Sequence, residues 1–334
     1  MLITLARAYI DDYRQVMTGA EGDILVIGAG VSGLTTAVCL VEAGFSVRVW
    51  TRDSPARTTS CAAGAIWGPF LAAHDQADRW CGETLAIFEE LATDAGSGVR
   101  MVDGVEAGRV VAEPPTWATR VSGFQQCEPT DLPDGFVSGW RYSVPVIDMP
   151  VYLDYLTRRL SAQGVTPEPV LVHSLDEAGS HAPVVVNCTG MGARELVPDA
   201  ELESVRGQLV VVDNPGIDRF FADHTEEDDE LTYILPQGRH LVLGGSAEPG
   251  RLDLDPDLEI SAAILRRCAR VEPLLAHARV LEHRVGLRPT RARIRVEKMA
   301  ARDYHLLHNY GHGGSGVSLS WGCSRDIVAM VADL

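Results

Sequence analysis

The chain has 334 residues, 46% of them hydrophobic and 22% charged, enough apolar material for one large fold or two domains sharing a sheet. Its 46 acidic and 29 basic residues leave a formal net charge of −17, which argues against a nucleic-acid or anionic-membrane partner and leaves room only for a local basic pocket. Seven scattered cysteines without a C-x-x-C pair fit a reducing cytoplasm and give no zinc or iron–sulfur framework.

Residues 1–21 contain Arg7, Asp11, Asp12 and Arg14, which break any apolar run of signal-peptide type. Two readings stay open there: an N-terminal extension, or a true start at Met17. Lys298 is the only lysine; we read this as the arginine bias of a GC-rich bacterial genome. The apolar run Ile24 to Gly44 approaches membrane-spanning length, but it holds four glycines. It reads instead as strand, turn and helix. Ile24–Ile27 is the buried strand, Gly28–Gly33 the turn, Leu34–Ala43 the helix, and Val47–Trp50 a second strand. This βαβ unit opens a dinucleotide fold.

Further along, helices are predicted at Gly82–Ala95, Val151–Ser161 and Ile260–Val271, with a closing helix at Arg325–Leu334. Val184–Asn187 is a strand. Gln208–Val212, Leu231–Leu235 and His240–Leu243 suggest an antiparallel β region. Leu306–Asn309 is a short strand feeding a glycine-rich turn. Nucleotide-type signals sit at the start, middle and end, with β-rich stretches between them, so the two domains interleave.

Gly28-Ala-Gly30-Val31-Ser32-Gly33 matches G-x-G-x-x-G after a strand and before a helix. Its glycines permit a tight turn and close backbone approach to a pyrophosphate, and the helix N-terminus supplies free N–H groups. The acidic residue expected at the end of the second strand arrives slightly late, as Asp53, beside Arg52. Either residue could face the adenosine, or both are solvated turn charges.

Three further segments carry a family resemblance. They are Thr58-Thr59-Ser-Cys-Ala-Ala63-Gly64-Ala65 running into Trp67-Gly-Pro-Phe70; Val285-Gly-Leu-Arg288-Pro289 followed by Arg291 and Arg295; and His308-Asn-Tyr-Gly-His-Gly313-Gly314-Ser315-Gly316 followed by Trp321-Gly-Cys323. Weaker echoes are Asn187-Cys-Thr-Gly190, Arg206-Gly-Gln208 and Thr232-Tyr233-Ile-Leu-Pro236. In order and spacing the chain resembles the D-amino-acid oxidase family of flavoenzymes from about Gly22 to its C-terminus.

The resemblance implies an α/β fold: a Rossmann-type FAD-binding domain interleaved with an α+β substrate domain built on an antiparallel sheet. The FAD segments are 22–75, 145–195 and 284–334; the substrate segments are 76–144 and 196–283. It implies FAD as cofactor, a D-amino acid and O2 as partners, a cytoplasmic homodimer, and no metal. It implies oxidation of neutral or basic D-amino acids to 2-oxo acids, ammonia and hydrogen peroxide. D-aspartate oxidase and glycine or sarcosine oxidation remain alternatives; a non-catalytic flavin-binding protein is a third.

Cofactor contacts are expected from Gly28, Gly30, Val31, Ser32, Gly33, Arg52, Asp53, Thr58, Thr59, Ala63, Gly64, Gly190, Arg295, Gly313, Gly314, Ser315, Gly316, Val317 and Ser318. Arg288 matches the family's carboxylate-binding arginine, whose planar fork suits two charge-assisted bonds. Tyr233 would touch the same carboxylate and the Gly314 carbonyl would take the amine. Arg291 is expected to be solvated or salt-bridged. His308 and His312 lie in a glycine turn without completing ligands, which argues against a metal. Two departures stand out. Asp229, within Glu226–Glu230, replaces a lid tyrosine four residues before Tyr233, and Ser315 replaces a bulkier aromatic.

Overall fold

The computed structural model describes residues 24–69, 73–225, 230–299 and 303–334. The expectations for residues 1–21, Gly22, Phe70 and Asp229 within the acidic run lie outside these residues.

Strand β1 (Ile24–Ile27) is buried along its whole length, as a four-residue apolar run flanked on both sides requires. Helix α1 (Val31–Glu42) returns the chain to β2 (Val47–Thr51), which lies parallel to β1 with Ile24 opposite Val47. Helix α2 (Ala77–Leu91) precedes the long antiparallel pair β3 (Val99–Gly108) and β4 (Ser138–Ile147). Then come α3 (Met149–Ser161) and β5 (Val184–Asn187), the latter on the other side of β1 and again parallel to it.

The β-rich middle is β6 (Glu203–Asp213), β7 (Phe220–Asp223), β8 (Glu230–Gln237) and β9 (His240–Ser246). After α4 (Leu258–Val271), the 19-residue β10 (Val280–Lys298) leads to β11 (His305–His312) and α5 (Gly316–Ala332). The hydrogen-bonded order is β4-β3-β7-β8-β9-β6-β10-β11-β5-β1-β2. Strand β10 joins the two halves: Val280–Thr290 pairs with β6, and Arg295–Lys298 pairs with β11. The middle sheet is antiparallel except where β3 and β7 run parallel.

Side-chain alternation divides the core. Leu209, Val211 and Val242 join the larger cluster with α1, α2, α3 and α5. Val210, Val212, Leu241 and Leu243 face the other way, onto Ile264 and Cys268 of α4. Complete burial of Ile264 is worth about 1.5–3 kcal/mol. The Asp257 carboxylate caps α4, accepting from Glu259 N–H at 3.0 Å and Ile260 N–H at 3.3 Å.

The structure corrects several boundaries. α1 starts at Val31, so Val31, Ser32 and Gly33 form its first turn. β11 runs through Gly311 and His312, and the glycine turn shrinks to Gly313–Ser315. The closing helix starts at Gly316, nine residues before the predicted Arg325. Glycine there marks close packing rather than a break: a Cβ on Gly322 would lie 2.3 Å from Trp80 Cα. α2 therefore packs on α5. α2 ends at Leu91, where Thr93 Oγ1 donates to the Glu90 carbonyl at 2.7 Å and Gly96 N–H to Asp94 at 2.8 Å, a local alternative to helical bonding.

Candidate active site

The first turn of α1 meets β1 at closest approach through glycine. Gly28 has φ +111°, and a Cβ there would lie 2.5 Å from the Cys188 carbonyl oxygen. A Cβ on Gly33 would lie 1.9 Å from the Gly28 oxygen. Val31 N–H, at the mouth of α1, donates to Ser60 Oγ at 3.0 Å, so the helix start faces the Thr58–Gly64 segment. Helix N–H groups and backbone clear of side chains fit a dinucleotide pyrophosphate. Arg52 and Asp53 pair with each other at 2.7 Å.

A second glycine-walled surface lies on the inner face of the middle sheet. A Cβ on Gly244 would lie 1.8 Å from Tyr233 Cζ, so the phenol ring lies against bare backbone. From the other side a Cβ on Gly64 would lie 3.2 Å from Tyr233 Cε2. Arg288 folds over Gly207, where a Cβ would come 2.3 Å from its Nη1, and it donates to the Ser246 carbonyl at 3.1 Å. Gly286, two residues earlier on β10, faces Thr59 Cγ2 and Ala62 Cβ. Burial raises the Tyr233 hydroxyl above its usual range and the Arg288 charge offsets part of this, so the phenol stays neutral and able to donate.

The turn at Gly313–Ser315 closes this constellation. Gly313 N–H donates to the Pro289 carbonyl at 2.8 Å. A Cβ on Gly314 would lie 3.9 Å from Arg288 Cδ, one on Gly190 3.8 Å from Pro289 Cγ, and one on Gly316 3.9 Å from Val31 Cγ1. Ser318 Oγ accepts from Gly68 N–H at 3.2 Å, tying α5 to the segment that carries Thr58, Thr59, Ala63 and Gly64. Thr58 Oγ1 itself donates to the Pro55 carbonyl at 2.7 Å. Val317 and Ser315 are buried.

Arg295 stands outside this group. Its guanidinium donates to Tyr310 at 2.6 Å and pairs with Glu297 at 2.5 Å and Asp199 at 3.5 Å. Arg291 reaches the same Asp199 at 2.9 Å and Glu201 at 3.0 Å, as a salt-bridged reading requires. The histidines sit on β11, not in the turn. Burial pushes His312 down to about 4, and its Nε2 has no hydrogen-bond partner among the described residues. No metal-holding group of three or more His, Cys, Asp or Glu occurs among the described residues.

Two features escaped the sequence reading. Arg284 shares a strand face with Gly286 and Arg288; its side chain is 9% exposed, paired with Glu282 at 2.8 Å, and its Nη1 is buried without a partner among the described residues. The period-two spacing Arg284, Gly286, Arg288 was the available signal. Ser246, which anchors Arg288, lies 42 residues from it in sequence and had no local signal at all.

Residues 23–330 match the family model described as DAO, FAD dependent oxidoreductase. The chain belongs to this family. Its cofactor is accordingly FAD, and the glycine cradle at α1 suits it. The chain is 47% identical over 321 residues to a D-amino-acid oxidase of Rubrobacter xylanophilus, covering 94% of this chain and 98% of that one. It is 45% identical to a D-amino-acid oxidase of Streptomyces coelicolor, covering 97% and 99%. The crystal structure of glycine oxidase from Geobacillus kaustophilus has the same fold, with a TM-score of 0.77 at 18% identity over 93% of this chain and 94% of that one. Among the described residues of this flavoenzyme, no helix is long and apolar enough to cross a membrane.

Proposed function

We propose that this chain is a D-amino-acid oxidase that deaminates neutral or basic D-amino acids to 2-oxo acids, with release of ammonia and hydrogen peroxide. The observation that carries the reading is the meeting of Tyr233, Arg288 and Gly314 on one glycine-walled face. The two bacterial relatives at 47% and 45% identity bear that name.

Arg288 offers a planar fork to the substrate carboxylate, and Tyr233 adds a neutral donor. The Gly314 carbonyl accepts a hydrogen bond from the amine. With the carboxylate and the amine anchored, one enantiomer turns its Cα hydrogen toward the electron acceptor and the other turns its side chain there. Bound FAD supplies the two-electron acceptor and the subsequent reaction with O2. The chain's own contribution is positioning and stabilisation of developing charge, with no side-chain base required if the amine enters neutral.

Gly28, Gly30, Val31, Ser32 and Gly33 would hold the pyrophosphate, with Arg52 and Asp53 toward the adenosine. Thr58, Thr59, Ala63, Gly64, Gly190 and Gly313 through Ser318 would line the flavin. The FAD segments 22–75, 145–195 and 284–334 and the substrate segments 76–144 and 196–283 follow this division of labour. In the sequence, five consecutive acidic residues, Glu226–Glu230, precede Tyr233; this run is the ground for proposing substrates without an anionic side chain.

Anaerobic titration of the FAD-loaded protein tests the reading. D-Ala, D-Met and D-Arg should bleach the flavin absorbance, and their L-enantiomers should not. Bleaching by the L series alone would overturn the assignment, and turnover of D-Asp in preference would overturn the neutral-or-basic part. A homodimer completes the proposal; light scattering giving a one-chain mass would remove it.

A further inference from the structure

Behind Arg288 lies a polar relay that the reaction chemistry does not itself require. Ser246, whose carbonyl receives the Arg288 bond, ends β9. Its hydroxyl accepts from Gln208 N–H at 3.1 Å and donates to Glu248 Oε2 at 3.1 Å. Glu248 is in turn gripped twice, by Arg206 through Oε2 and by Arg251 through Oε1 at 2.6 Å. Arg206 is fully buried. It also donates to the Asp253 carbonyl at 2.9 Å, the Asp255 carbonyl at 2.7 Å and Gln208 Oε1 at 3.1 Å. Gln208 Nε2 reaches the Asp257 carbonyl and Ser261 Oγ, both at 2.7 Å. An unbroken chain thus runs from Arg288 to the N-terminus of α4.

Burial tends to raise the Glu248 carboxyl, but the bonds from Arg251 and Arg206 outweigh it and hold the group below the usual range. Glu248 is therefore a fixed anion at neutral pH. Its charge-assisted bonds are of the stronger kind, and a network with its members satisfied is rigid. A free arginine side chain has several rotatable bonds, and binding a carboxylate must freeze them. Freezing them beforehand raises affinity without adding a contact to the ligand.

We propose that Glu248, acting through Ser246, is a positioning residue that presets Arg288 for the substrate carboxylate. This rests on the assignment of Arg288 to that carboxylate. The relay acts on binding, not on the chemical step: weakening it makes Arg288 search among rotamers before each encounter and leaves the bound complex unchanged.

The test uses the full-length, FAD-loaded protein in three variants: Glu248→Gln, Ser246→Ala and Arg288→Gln. The readouts are kcat and KM for D-Ala, the Kd of benzoate as a non-oxidisable carboxylate, the Kd of benzamide as its neutral counterpart, and the thermal midpoint. Each relay variant should raise KM and benzoate Kd about tenfold, the effect of one charged hydrogen bond, with kcat within about twofold and benzamide affinity unmoved. The double relay variant should be no worse than about the poorer single one, because both cut the same path. Unchanged benzoate affinity in both relay variants overturns the proposal. So does a parallel fall in kcat, benzoate and benzamide affinity, which marks general structural damage. Should Glu248→Gln fail to fold, Ser246→Ala decides alone, since it keeps the Arg206–Glu248 pair. Arg288→Gln separates the two layers: if it leaves KM and benzoate affinity intact, the carboxylate assignment itself falls; if it impairs both while the relay variants do not, only the relay falls.

Discussion

The N–H of Gly313 donates to the carbonyl of Pro289 at 2.8 Å. This bond fastens the turn before α5 to the strand that carries Arg288, and it does so one residue from each of the proposed substrate contacts Gly314 and Arg288. The turn and the strand carrying the arginine are thus joined directly, although 25 residues separate Gly314 from Pro289 along the chain.

The two glycines of that turn should respond differently to alanine. Gly313 has φ +55°, the left-handed region where a Cβ costs about 1 kcal/mol. Gly314 has no such constraint, and its Cβ would make ordinary contact with Arg288 Cδ at 3.9 Å. Gly313→Ala should lose about 1 kcal/mol in denaturant titration. Gly314→Ala should lose less than about 0.5 kcal/mol, a surface-like change, yet raise KM, because the methyl occupies space beside the guanidinium. A Gly314→Ala enzyme with wild-type KM would contradict the proposed seat of the substrate amine.

Cofactor retention should hinge on Gly33. A Cβ placed 1.9 Å from the Gly28 oxygen cannot be accommodated by a flexible side chain, since the obstacle is backbone. Helix α1 must move off β1, and its N–H groups lose their aim. Gly33→Ala should purify largely without yellow colour and bind added FAD at least about tenfold more weakly, equivalent to 1.4 kcal/mol. Stoichiometric flavin at wild-type affinity would show that the helix start does not hold the pyrophosphate.

The nucleotide half was legible in the sequence because its signals are local. An apolar strand, a glycine turn and a helix lie within thirty residues, and each announces itself by period. The site was legible only through resemblance, since Tyr233, Arg288 and Gly314 meet through tertiary packing that no local window contains. Boundaries shifted beside glycine. Gly322 lies inside α5 because Trp80 of α2 presses against it, and Gly311 lies inside β11. The reach of β10 across both halves, and the Ser246–Glu248–Arg206 relay, are products of strand order, which composition and spacing do not encode. At Arg295, where motif proximity suggests a flavin contact, Asp199, Tyr310 and Glu297 engage the guanidinium.

Gly244 should be as sensitive as the arginine it never touches. A Cβ there would lie 1.8 Å from Tyr233 Cζ and 2.2 Å from its hydroxyl oxygen. Gly244→Ala therefore evicts the ring from its place without removing a polar group. The expected result is a rise in KM of about tenfold or more, comparable to losing the tyrosine's hydrogen bond, and little further loss when combined with Tyr233→Phe. Additive losses in that double variant would mean that Gly244 acts on something other than the phenol.

His312 should leave a signature in the pH dependence of stability. Burial holds its folded-state value near 4, while an unfolded histidine titrates near about 6.5. The unfolded chain therefore takes the proton first as pH falls. The stability associated with the neutral ring is complete above about 6.5 and drains away toward 4, by at most about 1.4 kcal/mol per pH unit. Glu106 works in the opposite sense: burial raises its carboxyl despite the bonds from Tyr142 and Trp140, so its contribution is present at low pH and lost as pH rises above about 4.5. Comparing wild type with His312→Leu at each pH cancels the Glu106 contribution. The stability of the wild type relative to the variant should fall by about 2 kcal/mol between pH 7 and pH 5. Parallel stability curves over that interval would mean that His312 accepts its proton in the folded state as readily as in the unfolded one, and that the buried ring at the foot of the glycine turn is solvated after all.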